Sequence, residues 1–503
     1  MKGKILFLKN AAVLTVASLV LKSAGMVLRV WLSSRLLGEG LGLYQLIVSV
    51  YLLASKPLTA GLEVAVTKIA GEGKRRADKV ALGGYALALP AALLVGAAVF
   101  LGSDYISAAF LCDIRASLSV KILTFSLPFM AISAVAKGYF IARRNTVPHS
   151  ISQLIEQATR IGAVIFFVSR WQSRGTELLC AAVLLGDLLA EAVSCAVIVI
   201  WSAFEARKIK RNPKGEGRVV SAVGRMALPI AAERAVTSFF HTAENLMVPT
   251  VAAAVMGSRE VALSLFGILK GMALPLLFFP ASFLTVFSTL LIPEVSEALA
   301  KGQFLRLKRA VGATFQIIIT LSILLGAAFF FFADSFGMAL YGNREASYMI
   351  KVLAPIVPFM YCESIADGMM KGMGKQVRAF WAGVIDAAAR LGLVFLIVPQ
   401  KGMDGFLIIM FLSNILACVY KMSQVFKTAK MQADIKNWVF KPITAAVLSG
   451  ILASITCGGM HIQNDIVFLA SALIITGTAF FALLALSGTF SIGKIFSFLK
   501  SGS

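Results

Sequence analysis

Lys121-Ile-Leu-Thr-Phe-Ser-Leu-Pro128-Phe129-Met130 returns as Lys351-Val-Leu-Ala-Pro-Ile-Val-Pro358-Phe359-Met360. The copy runs on without a gap, 230 positions away, from 121–168 to 351–398. Gly138 reappears as Gly368, Ile155 as Ile385, Ala158 as Ala388, Arg160 as Arg390 and Gly162 as Gly392, with Glu156 matched by the shorter acid Asp386. About fourteen of roughly forty-eight positions are identical, above chance for apolar sequence. Both copies are hydrophobic enough for a bilayer. A membrane protein built from two similar halves has a natural binding site between them, near the midplane, and this pattern points to a transporter.

The rest of the chain agrees. It is 58% hydrophobic and 15% charged, with a mean hydropathy of +0.85, which is not a soluble composition. The formal net charge is +23. That excess sits mostly in short loops between apolar stretches, so it reads as membrane orientation rather than nucleic-acid binding. Cys112, Cys180, Cys195, Cys362, Cys418 and Cys457 show no metal spacing and read as packing residues. His149, His241 and His461 form no cluster. No catalytic motif, P-loop or dinucleotide fingerprint appears, and neither an enzyme nor a cofactor is expected.

A span needs about 20 mostly apolar residues, and lipid leaves the backbone no partner but its own helix. The expectation is an all-α polytopic membrane protein with about fourteen transmembrane helices, at 10–33, 42–66, 81–102, 117–141, 151–169, 177–202, 221–253, 260–292, 310–332, 347–371, 379–399, 405–425, 440–457 and 464–487. The polar linker 203–220 separates six spans from the next six. This gives an N-terminal lobe 1–214, a C-terminal lobe 215–430, and two additional helices with a tail in 431–503. Roughly thirty Lys and Arg lie on one set of loops against about eight on the other, which predicts both termini in the cytoplasm of a multi-pass plasma-membrane protein.

Ionisable groups inside spans are expensive and mark function. Lys22 and Arg29 stand two turns apart on one face of the first span; Lys56 lies in the second and Lys270 in the eighth. None has an acid at pairing distance in its own helix. A cationic cavity for an anionic substrate, phosphate or pyrophosphate, follows, against the alternative of pairing across helices or snorkelling to the interface. Glu156 with Arg160, and Asp386 with Arg390, stand at i,i+4 and predict self-neutralising pairs of structural or gating character. Glu233 and Glu244 lie three turns apart in the seventh span and, with Asp386, form candidates for a coupling cation, sodium or a proton. Asp187 and Glu191, at i,i+4 in the sixth span, repel unless one is protonated or paired elsewhere.

The stretch Ser34-Arg35-Leu36-Leu37-Gly38-Glu39-Gly40-Leu41-Gly42-Leu43-Tyr44-Gln45-Leu46 resembles the first-loop motif of the stage V sporulation protein B family of polysaccharide exporters. Glu156-Gln157-Ala158-Thr159-Arg160-Ile161-Gly162 resembles the fifth-span signature of that family. These exporters belong to the multidrug/oligosaccharidyl-lipid/polysaccharide flippase superfamily, with the lipid II flippases. The resemblance covers nearly the whole chain. It implies two pseudo-symmetric six-helix lobes, as in MATE transporters, plus two C-terminal helices. It also implies movement of undecaprenyl-pyrophosphate-linked saccharide to the outer leaflet, a cell-wall or spore-cortex precursor, with envelope-synthesis enzymes as partners. Arg29, Lys56 and Lys270 resemble the basic positions of the lipid II flippase cavity, and Lys22 stands near another. Lysine at 22 and 270, in place of arginine, gives up bidentate geometry, which bears on the sugar more than on the anionic lipid. Family sodium sites in the second lobe make Glu244 and Asp386 counterparts by resemblance. The competing readings are a multidrug or cation antiporter of the same fold, and a non-transporting envelope-assembly scaffold.

Overall fold

The computed structural model describes residues 2–72, 76–207, 219–460 and 464–488. His461 and most of the 203–220 linker lie outside these residues. Among the described residues there is no β-strand, as expected for backbone groups that must be satisfied without water. The main helices are α1 (Lys2–Gly71), α2 (Ala77–Leu101), α3 (Ser117–Thr124), α4 (Ser126–Ala142), α5 (Val147–Trp171) and α6 (Thr176–Arg207). They continue as α7 (Val219–Met256), α8 (Arg259–Ile268), α9 (Leu274–Ala300), α10 (Phe304–Phe331), α11 (Ala333–Tyr341) and α12 (Arg344–Leu353). The last four are α13 (Val357–Gly372), α14 (Gln376–Ala429), α15 (Lys441–Gly459) and α16 (Asp465–Leu486).

Eleven helices among the described residues are long and apolar enough to cross a membrane, against the fourteen spans expected. Two of the eleven run a pair of expected spans together. In α1 the chain turns at Leu37 (φ 55°, ψ −176°), and in α14 at Gly402 (φ 57°, ψ −139°). Each corner is one residue wide, where the sequence suggests a loop. The expected seventh span, α7, is 38 residues long but is not among the eleven; Arg225, Glu233, Arg234 and Glu244 dilute its hydropathy.

Leu37 is a left-handed residue without the freedom of glycine, a conformation that costs of order 1–3 kcal/mol and persists only where neighbours fix it. They do so here. Glu39 accepts a 2.6 Å hydrogen bond from Arg115 Nη2, and the Cys180 thiol donates to the Gly40 carbonyl at 3.6 Å. Gly42 lets α1 lie directly on α8: a Cβ there would come within 2.1 Å of the Leu263 carbonyl oxygen.

Packing divides the chain into two compact units, Met1–Gly267 with Ala387–Met403, and Ile268–Asp386 with Asp404–Ser503. The first has a core of Leu62, Val66, Val80, Val135, Tyr139 and Phe140. Small residues bring its backbones together, the usual device where lipid gives no hydrophobic drive to helix association. A Cβ on Gly138 of α4 would stand 2.7 Å from the Glu63 carbonyl of α1. In the second unit, α10, α13, α14 and α15 surround an apolar cavity of about 600 Å³, lined by Ile323, Phe330, Pro358, Val419 and Ile443 among others.

Candidate functional site

The cationic positions on α1 are open. Lys22, Arg29 and Lys56 are all exposed, and among the described residues none of the three forms an ion pair. Seven residues make two helical turns, so Lys22 and Arg29 share a face, and Gly25 lies between them on it. Gln157 of α5 lies beside Gly25, its Nε2 at ordinary contact distance, 3.8 Å, from where a Cβ would stand. Arg29 is within electrostatic reach of Tyr44, as are Arg160 and Asp187. Lys56 lies within reach of Arg234 on α7, another exposed cation. Like charges at such range persist where solvent or an anion screens them. Arg234 therefore joins the candidates; the sequence offered only its position in a span. Lys270 belongs to the second unit. It sits in a π-helical turn, Leu269–Ala273, of the kind often retained at functional positions. Its ammonium stands 5.5 Å from the centroid of the Phe406 ring.

Beside this stripe, in the same unit, Arg160 organises a half-buried ionic cluster. Its Nη2 donates to Glu156 at 2.9 Å, the expected i,i+4 pair, and its Nη1 to Gln157 at 3.0 Å. Its Nε donates to Asp187 on α6 at 2.8 Å, and Glu191 stands 3.6 Å from Nη2. One guanidinium from the neighbouring helix thus neutralises Asp187 directly and leaves Glu191 at the edge of its reach. Lys137 of α4 approaches Glu156 at 3.8 Å, and the Ser194 hydroxyl donates to it at 3.1 Å. Lys137 is a site residue that no within-helix spacing reveals.

The second expected pair is corrected. Arg390 does not close onto Asp386 at i,i+4. Its Nη2 donates to Glu244 of α7, which is 1% exposed, while Asp386 accepts from the Ser413 hydroxyl at 2.6 Å. A long guanidinium reaches a neighbouring helix as easily as the turn below it, and a deeply buried carboxylate gains more from it than an acid already served by a hydroxyl. The contact is one-armed: Glu244 Oε2 and Arg390 Nε are both buried without a protein partner among the described residues. Glu233 is half-buried and stays apart from this pair in the structure's contacts; its carbonyl accepts from Thr237. In the second unit, Glu363 and Asp367 of α13 share Lys421 of α14, at 2.5 and 3.1 Å.

Residues 7–299 match the family described as polysaccharide biosynthesis protein. The chain belongs to that family. Among its relatives, stage V sporulation protein B of Bacillus subtilis (strain 168) is 23% identical over 460 residues, 89% of each chain. The lipid II flippase MurJ of the same organism is 21% identical over 476 residues, covering 88% of this chain and 87% of its own. The fold is that of the solved lipid II flippase MurJ in its inward closed conformation (TM-score 0.74, 13% identity, 94% of this chain and 97% of that one). It is also that of an inward-facing MATE transporter of the MOP superfamily (TM-score 0.63, 14% identity, 83% of this chain and all of that one). The family match, the fold and the apolar helices together make the chain a multi-pass membrane protein.

Proposed function

We propose that the protein is a flippase that carries a lipid-linked anionic saccharide, of the undecaprenyl-pyrophosphate class, from the cytoplasmic to the outer leaflet. The observation that carries this reading is the set of exposed cations that form no ion pair among the described residues, Lys22, Arg29 and Lys56, on membrane-spanning segments of α1. Pyrophosphate oxygens are what such donors bind with charge assistance. Transport proceeds by rocking of lobes 1–214 and 215–430, with both termini cytoplasmic and with Glu244, Asp386 and Glu233 tying the movement to sodium or a proton. Envelope-synthesis enzymes supply and consume the lipid.

The test is complementation of a flippase-deficient strain. Lys22→Ala, Arg29→Ala, Lys56→Ala and Lys270→Ala are each expected to lose complementation at normal membrane abundance, because truncating one partner of a buried charge contact costs about 2–5 kcal/mol. Full activity in all four overturns the anion reading. A multidrug or cation antiporter would instead transport a cationic dye, and a scaffold would tolerate all four changes.

A further inference from the structure

Three carboxylates, Glu156, Asp187 and Glu191, face two cations, Arg160 and Lys137, inside the first unit. With these five groups ionised the cluster carries one uncompensated negative charge, and Glu63 of α1, also within reach of Lys137, brings no cation to offset it; the interior of a membrane bundle strongly disfavours such a charge. One proton removes it. Glu156 and Asp187 are committed as charged acceptors, Glu156 to Arg160 and Ser194, Asp187 to Arg160, and hydrogen bonds to the charged form favour that form. Glu191 differs. It is 7% exposed and accepts no hydrogen bond among the described residues, its nearest guanidinium nitrogen lying 3.6 Å away, beyond hydrogen-bond range. The remaining titratable groups around it supply no cation at closer range. Tyr51 of α1 donates to the Met130 sulfur, Cys195 lies one turn on along α6, and His149 at the start of α5 faces Lys137 and Glu156.

The cluster adjoins the cationic stripe. Gln157, held by Arg160, lies in contact with Gly25 between Lys22 and Arg29, and Tyr44 lies within reach of both Arg29 and Asp187.

We propose that Glu191 is a proton-binding site whose occupancy is linked to anion binding at Lys22 and Arg29. Protonated, the cluster is neutral and the stripe presents its full positive charge to a pyrophosphate headgroup. Deprotonated, a neighbouring negative charge weakens that attraction. The only bond made or broken is the carboxyl O–H, and the proton comes from and returns to water. Linkage is reciprocal, so a bound anion raises proton affinity by the same factor. The linkage, though not the proton site, rests on the anion reading above.

The experiment uses the full chain in lipid nanodiscs. Infrared difference spectra taken from mildly acidic to mildly alkaline pH are expected to show a carboxylic-acid C=O band that titrates. The band should vanish in Glu191→Gln, persist in Asp187→Asn, and shift in frequency in Glu191→Asp, which guards against a misfolded variant. A band unchanged in Glu191→Gln, or none in the wild type, overturns the site. Inorganic pyrophosphate is then the probe. Its affinity for the wild type relative to Glu191→Gln should fall about tenfold as pH rises; a constant ratio overturns the linkage. Pyrophosphate bound by neither protein, with the Glu191 band present, overturns the anion reading and the linkage but leaves the proton site standing.

Discussion

Arg160 and Arg390 occupy the same place in the two copies of the repeated segment, but they live in different company. Arg160 spends all three nitrogens on Glu156, Gln157, Asp187 and Glu191. Arg390 spends one nitrogen on Glu244 and keeps Nε buried without a partner among the described residues. A second contrast runs through the same copies. Lys137 of the first falls on Asp367 of the second: Lys137 faces Glu156 from α5, whereas Asp367 faces Lys421 from α14. Duplication preserves the backbone and an inward arginine, and each copy then rebuilds charge balance from whichever helix lies alongside. The difference teaches that the repeat predicts where charge enters the bundle and leaves its partner open.

The comparison breaks first at Arg160. Arg160→Ala strips the guanidinium from Glu156, Asp187 and Glu191 at once, and removing one side of a buried pair costs about 3–5 kcal/mol. Thermal unfolding in detergent should show the largest loss of any single change here, clearly beyond Arg390→Ala. Equal losses would mean that Asp187 and Glu191 contribute nothing beyond an ordinary pair. The double variant Glu244→Leu with Arg390→Leu comes next. Apolar replacement of a whole buried pair is neutral or stabilising by about 1–4 kcal/mol, so the double should unfold no lower than wild type while abolishing any cation dependence of transport measured in proteoliposomes. A double variant as unstable as Arg390→Ala would show that the pair holds the fold. Lys137→Ala should cost only about 1 kcal/mol, since its ammonium stands 3.8 Å from Glu156 and Arg160 remains. The smallest effect sharpens the symmetry itself. Gly162 and Gly392 are repeat partners with nothing within 4 Å of a would-be Cβ. Gly162→Ala and Gly392→Ala should each raise stability by about 0.5–1 kcal/mol, the helical preference for alanine. A loss at one position alone would reveal a ligand or helix face that needs the gap there.

Much of this was readable from residues alone. Glu156–Arg160 was legible because i,i+4 spacing fixes a contact without knowledge of neighbours. Asp187 and Glu191 announced a missing cation, though not that Arg160 supplies it. Asp386–Arg390 has the same spacing, but the pair is not made, because Glu244 arrives from α7 and tertiary contact outranks local register. Lys137 and Arg234 gained meaning only when α4 and α7 were set beside their neighbours. The span pattern was legible from apolar length, whereas the corners were not: Leu37 is neither glycine nor asparagine, and nothing in its identity marks a turn.

Leu37 also makes α1 intolerant of changes in length. Surface connections between spans commonly accept added sequence, but here the connection is a single left-handed residue with helix on both sides. A helix advances by about 100° per residue. Deleting one residue between Leu37 and Lys56 would therefore turn Lys56 about a quarter of the way round the helix, away from Arg234, while leaving composition and hydropathy almost untouched. Insertion scanning across 36–56 should show this as a block of silent or dead proteins flanked by permissive termini, a map of register rather than of residue identity.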